Sequence, residues 1–136
     1  MRSVVLIPTY NEIDSLPSAL DRVRSAAVQA HILVIDDNSP DGTGALADAR
    51  AQSDDHIHVL HRTEKNGLGP AYLAGFKWAL ENDFELIIEM DADGSHRAED
   101  LALLIQRAEM ADKPDLVIGS RWISGGATQG WSQKRV

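Results

Sequence analysis

Two carboxylates one residue apart, Asp91 and Asp93, follow the apolar run FELIIEM in the stretch EMDADGSH. Like charges this close raise each other's cost of ionisation, and a cation between them removes that cost. In an extended segment residues i and i+2 point to the same side. Both carboxylates can therefore bind one hard divalent ion together with phosphate oxygens and water, the surroundings that Mg²⁺ prefers. A metal held there would neutralise charge building on a departing diphosphate. The plain alternative is a solvated Asp turn, because D-x-D also arises by chance.

Two other acidic-loop chemistries compete for the same residues. An EF-hand would place Asp91, Asp93 and Ser95 first, third and fifth, but its sixth place holds His96 instead of Gly and its twelfth Ala102 instead of Glu. That reading fails. A haloacid-dehalogenase-like phosphatase carries a similar D-x-D-G-T, with the first Asp as nucleophile. That motif belongs on the first strand with an acidic pair downstream, whereas Asp36-Asp37 lies upstream here.

The remaining candidates lie in VIDDNSPDGTG and HRTEKNGLGPA and near the C-terminus. Asp36 and Asp37 can accept hydrogen bonds from a base or ribose, since ionised carboxylates are acceptors only. Asp41 and Gly42 suit a simple turn. Residues 42–47 match the dinucleotide fingerprint G-x-G-x-x-A, but that motif belongs after the first strand, and here two carboxylates precede it. Arg62 and Lys65 stand beside a glycine-flanked helix start that favours anions, although a plain turn at Gly67 explains the glycine equally well. Arg121, Lys134 and Arg135 suit phosphate or a solvated surface. His96 alone makes no metal site, and His56 and His58 alternate on what reads as a wet strand face. Trp78 reads as core; Trp122 and Trp131 suit core, a pocket rim or a lipid surface.

The elements that must position these residues alternate along the chain. SVVLI (3–7), HILVI (31–35), HIHVLH (56–61), FELIIEM (84–90) and DLVIG (115–119) read as strands. Between them, Ile13, Leu16, Leu20 and Val23 recur at helical spacing after Asn11, a potential cap. A short helix runs through Leu46 and Ala49. Another, with Pro70 in its first turn, has Tyr72, Phe76, Ala79 and Leu80 on one apolar face, and a fourth covers 98–110. Such alternation with near-continuous apolar strands predicts an α/β fold, a mostly parallel sheet flanked by helices on both faces. Ligands of these sheets bind outside the carboxyl ends of the strands. Pro8 to Glu12, Asp36-Asp37, Arg62 to Lys65, Asp91 to His96 and Ser120-Arg121 all follow strands, which places them on one edge.

Composition bounds the function. A chain of 136 residues with 43% apolar and 25% charged residues has the size and make-up of one globular domain. Its net charge of −8 disfavours nucleic acid, whose phosphates need Lys and Arg. The absence of cysteine removes disulfides and thiol chemistry and fits a cytoplasmic life. The apolar run before Pro8 is too short for a signal peptide, and no run approaches the ~20 apolar residues of a membrane span. A soluble or at most peripheral chain is expected.

IPTYNE, VIDDNSPDGT, RTEKNGLGPAYLAGF, EMDADGSH and IGSRW, in this order, resemble glycosyltransferase family 2. More narrowly, they are similar to its dolichyl- or polyprenyl-phosphate mannose synthases of the actinobacterial kind, across nearly the whole chain. The resemblance implies a GT-A fold and inverting transfer of mannose from GDP-mannose to a polyprenyl monophosphate, at the cytoplasmic face of a membrane. By the same resemblance Pro8, Tyr10, Glu12 and Asp37 hold the guanosine with Asp36 nearby, and the Asp91-Ala92-Asp93 segment meets the diphosphate. Asp91 and Asp93 hold Mg²⁺ or Mn²⁺, and Arg121 and Arg135 meet donor and acceptor phosphates, so that Asp93, Arg121 and Arg135 are the implied catalytic groups. Ser95 stands where some members have a Gln metal contact, which leaves that third contact to Ser95 or to water. The family's domain continues past the end of this chain, with further basic residues and membrane-facing helices. The expectation is therefore a single domain over 1–136, the nucleotide-sugar-binding front of a synthase. A non-catalytic nucleotide-sugar-binding module and a polyprenyl-phosphate glucosyltransferase remain as alternatives.

Overall fold

A computed structural model describes residues 2–63, 68–90 and 92. Lys65, Asp91, Asp93, Ser95, His96, Arg121, Trp122, Trp131, Lys134 and Arg135 lie outside the described residues, as do the expected helix at 98–110 and strand at 115–119.

The chain runs β1 (Ser3–Thr9), α1 (Leu16–Ala26), β2 (His31–Asp36), α2 (Thr43–Ser53), β3 (Ile57–His61), α3 (Leu68–Glu81) and β4 (Leu86–Glu89). The strands form one parallel sheet in the order β3-β2-β1-β4. Continuous apolar runs become strands here because both faces are covered. Val5, Ile7, Val34 and Ile88 pack with Leu16, Leu20 and Val23 of α1 and Ala47 of α2. Val4, Leu6, Leu33 and Ile35 face Ala71 and Ala79 of α3 on the other side. After β3 the chain crosses back beyond β1 to β4, so the order of strands reverses between β1 and β4. Such a reversal opens a crevice at the carboxyl edge of a doubly wound sheet.

Four local expectations are corrected. Asn11 does not cap α1: Ser15 takes the N-cap place, and Asn11 adopts φ 56, a left-handed conformation that Asn tolerates. Ile13 accordingly lies before the helix, on the surface. The buried stripe of α3 is Ala71, Gly75 and Ala79, with Tyr72, Phe76 and Trp78 half-buried beside it, while Leu80 is 67% exposed. Small residues four apart let α3 lie close to the sheet. A Cβ on Gly75 would come within 2.6 Å of Ile35 Cδ1 and 3.0 Å of Leu6 Cδ1, and both side chains are fully buried.

The histidine face of β3 is also not wet. His58 and His31 are half-buried, and rings of Trp78 and Phe84 lie 5.2 Å from His58 and His31 respectively. His31 stacks on His56 with centroids 4.3 Å apart. Its Nδ1 meets Nε2 of His58 at 3.0 Å, an edge-to-edge contact in which one ring donates N–H and the other accepts. Arg2 covers the Phe84 ring at 4.2 Å. This cluster occupies the amino edge of the sheet.

Two measurements test this packing. Gly75→Ala should cost roughly 1–3 kcal/mol of stability in urea unfolding, because the overpacked methyl must push α3 off the sheet. Burial, followed by the neighbouring His56, His58 and Arg2, lowers the pKa of His31 to about 4. Burial, then Arg2 and His56, lowers that of His58. The unfolded chain then binds more protons than the folded one below the ordinary histidine pKa of about 6.5. Stability should be full above that pH and fall as pH drops from about 6.5 towards 4. His31→Phe combined with His58→Leu should flatten the slope in that window.

Candidate nucleotide-binding edge

The site begins where β1 and β2 end. Thr9 and Asp36 are register partners on the last rung of the ladder, and both are buried. Thr9 donates from Oγ1 to Asp36 Oδ1 at 2.8 Å. Ser39 donates its hydroxyl to the same oxygen at 2.6 Å and its N–H to Oδ2 at 3.0 Å. Asp36 therefore stitches the strand ends to the loop that follows β2. The first turn of α2 also lies against it: a Cβ on Gly44 would stand 3.0 Å from Asp36 Oδ2. A helix N-terminus favours a carboxylate there.

Asp37 follows, 6% exposed, with its N–H bonded to Thr9 O at 3.1 Å. Arg62 approaches its Oδ1 through Nη1 at 3.3 Å, and the Arg62 N–H is bonded to Asp36 O at 2.8 Å. A carboxylate taken from water needs such a partner to remain ionised. Three strand ends thus converge, as the strand-end rule predicts.

Pro8 is buried in β1, beyond the last β1–β4 pair, Leu6 with Glu89, so its missing N–H breaks no rung on that side. Tyr10 is exposed, and Glu12 is half-buried with Oε2 accepting from Ser15 Oγ at 3.1 Å. Met90 and Ala92 are buried. Asp91 and Asp93, between and beyond them, lie outside the described residues, as do Ser95, Arg121 and Arg135.

Sequence reasoning did not single out Thr9, Ser39 and Thr43, and it read Asp41 as a turn residue. The N–H of Asn11 donates to Ser39 Oγ at 3.0 Å, that of Glu12 to Thr43 Oγ1 at 3.0 Å and that of Ile13 to Asp41 Oδ2 at 3.2 Å. Thr43 gives both its N–H, at 3.0 Å, and its hydroxyl to Asp41 Oδ1. The Thr43 hydroxyl bond holds the Asp41 carboxyl below the usual carboxylate range. The cluster of Ser, Asp, Gly and Thr in NSPDGTG was the available signal, but its partners lie in another loop. Gly42 caps α2 at φ 96, so the G-x-G-x-x-A match is the start of that helix and not a first-strand phosphate loop.

Residues 4–136 match the family model described as Glycosyl transferase family 2. The chain belongs to this family. It is 53% identical over 135 residues to the undecaprenyl-phosphate mannosyltransferase of Micrococcus luteus, covering 99% of this chain and 54% of that protein. It is 52% identical over 136 residues to the polyprenol monophosphomannose synthase of Mycolicibacterium smegmatis, covering 99% and 51%. The chain thus spans about half the length of these curated relatives. A mannosyltransferase of Pyrobaculum calidifontis, solved in complex with GDP-Man and Mn²⁺, superposes with a TM-score of 0.68 at 26% identity, over 83% of this chain and 33% of that one. The family 2 match and the parallel sheet with helices on both faces make the fold GT-A-like, and the phosphatase reading is set aside.

Asp36→Ala should leave the Thr9 hydroxyl and the Ser39 N–H and hydroxyl without their buried acceptor. A loss of about 2 kcal/mol in urea unfolding is expected, and an unchanged midpoint would show that the strand ends do not depend on this carboxylate.

Proposed function

We propose that this chain binds GDP-mannose and forms the donor half of an inverting glycosyltransferase that moves mannose to a polyprenyl monophosphate. The observation that carries the reading is 52–53% identity, across 99% of the chain, to two proteins named for polyprenyl-phosphate mannosyl transfer. The carboxyl-edge cluster of Tyr10, Glu12, Asp37 and Arg62 supports it, since it offers acceptor oxygens for N–H and hydroxyl donors of a nucleoside beside a fixed cation.

Asp91, Asp93 and Ser95 would hold Mg²⁺ or Mn²⁺; two carboxylates and a hydroxyl are the hard oxygen donors these ions take. The bound ion would supply charge neutralisation on the diphosphate. Arg121 and Arg135 would meet phosphates of donor and acceptor, with bidentate geometry open to each. An acceptor phosphate is already anionic, so positioning and charge neutralisation supply most of the catalysis. The proposed acceptor is a lipid, so the reaction would take place at a membrane surface with peripheral contact, in this proposal the cytoplasmic face. No helix among the described residues is long and apolar enough to cross one.

Because the chain spans about half of its relatives, a second reading, donor binding without transfer, stays beside the first. Calorimetric titration with GDP-mannose and GDP-glucose, with and without Mn²⁺, tests the donor; added polyprenyl phosphate tests transfer. Metal-dependent GDP-mannose binding that disappears in Asp91→Ala/Asp93→Ala is the expected result. Turnover supports the transferase, and binding without turnover supports the binding module. Equal affinity for GDP-glucose would remove the assignment of the sugar.

A further inference from the structure

The β1–α1 loop has no ladder partner for its amides, yet three consecutive N–H groups, those of Asn11, Glu12 and Ile13, all end on side chains of residues 39–43. Ser39 and Thr43 relay two of them, each accepting one N–H and donating a hydrogen bond from its own hydroxyl to a carboxylate, Asp36 or Asp41. Asp41 receives the third directly. Its two oxygens serve different ends: Oδ1 takes Thr43 at the start of α2, and Oδ2 takes Ile13, 28 residues away. The Ile13 side chain also rests on Gly42, where an added Cβ would stand 3.3 Å from Ile13 Cδ1.

We infer that Asp41 is a positioning residue for the donor site, holding Tyr10 and Glu12 in their binding conformation by bridging the start of α2 to the loop that carries them. The inference rests on the reading of residues 8–12 and 37 as the nucleotide-binding segments. A left-handed Asn11 between two exposed or half-exposed residues is one conformation among several for a free loop. When the competent form is only partly populated, apparent affinity falls by that fraction.

The chemistry separates this role from an ordinary Asx turn before the helix. Such a turn needs one acceptor oxygen, and Asn serves as well as Asp. The bridge needs two acceptors, whereas Asn has one and turns an NH₂ donor towards either Ile13 or Thr43. Asp41→Asn should therefore keep α2 and lose the bridge. Thr43→Val removes the relay to Glu12, and Thr43→Ser restores it.

The experiment measures GDP-mannose affinity in Mn²⁺, thermal unfolding, and amide exchange at Asn11, Glu12 and Ile13 for the wild type and these three variants. Asp41→Asn and Thr43→Val should bind GDP-mannose roughly tenfold more weakly, with faster exchange at Ile13 and Glu12 respectively. Thr43→Ser should retain wild-type affinity, and the unfolding temperature of Asp41→Asn should stay near that of the wild type. Wild-type affinity in Asp41→Asn would overturn the inference alone and leave Asp41 a turn residue before α2. No GDP-mannose binding by the wild type would overturn the reading of the site and the inference with it.

Discussion

The buried carboxylate of Asp36 is the interaction on which the carboxyl edge depends. A parallel ladder stops abruptly where its strands diverge, and polar groups on the last rung must still be satisfied because burial without a partner is costly. Thr9 and Asp36 share that rung and bond to each other, and Asp36 then reaches Ser39. Removing this carboxylate would leave the Thr9 hydroxyl of β1 and the Ser39 hydroxyl and amide of the following loop without their acceptor in a nearly dry place. Through Ser39, which accepts the Asn11 N–H, the same anchor reaches the loop between Tyr10 and Glu12.

The two edges of the sheet solve opposite problems. At the amino edge His31 opens β2, His56 precedes β3 and His58 lies within it, and ring stacking with a His31–His58 hydrogen bond packs them beside Trp78, Phe84 and Arg2. At the carboxyl edge carboxylates are retained and are met by hydroxyls, amides and one arginine. Near neutral pH their lowered pKa values leave His31 and His58 largely uncharged, so that these two rings serve packing.

Much of this was legible in the sequence, for identifiable reasons. Strands covered on both faces read as unbroken apolar runs, so SVVLI and HILVI were visible as strands, and the strand-end rule then brought Glu12, Asp37 and Arg62 to one edge. Asn11 misled because Asn serves both as a helix cap and as a left-handed residue, and only the loop's long-range bonds select the second. Leu80 misled because helical spacing marks a face without saying which face meets the sheet; the small residues Ala71, Gly75 and Ala79 decide that. His58 looked wet because polarity was taken for exposure, whereas rings can be buried by stacking. The bonds from residues 11–13 to residues 39–43 were hidden because the polar cluster of NSPDGTG does not name its partner. They join two loops 28 to 31 residues apart through side chains whose types suit a turn equally well.

In a chain with net charge −8, an acidic edge repels an anionic donor. The described carboxylates divide by partner in a way that eases this difficulty. Asp36 and Asp41 are met by hydroxyls and backbone amides, which disperse their charge into the loops they organise and occupy no cation. Asp37 has Arg62 beside it. On the proposed reading, Asp91 and Asp93 hold a divalent ion, whose charge offsets the cost that two close carboxylates add to each other's ionisation. On that reading, carboxylates satisfied by neutral donors leave the cation to the diphosphate.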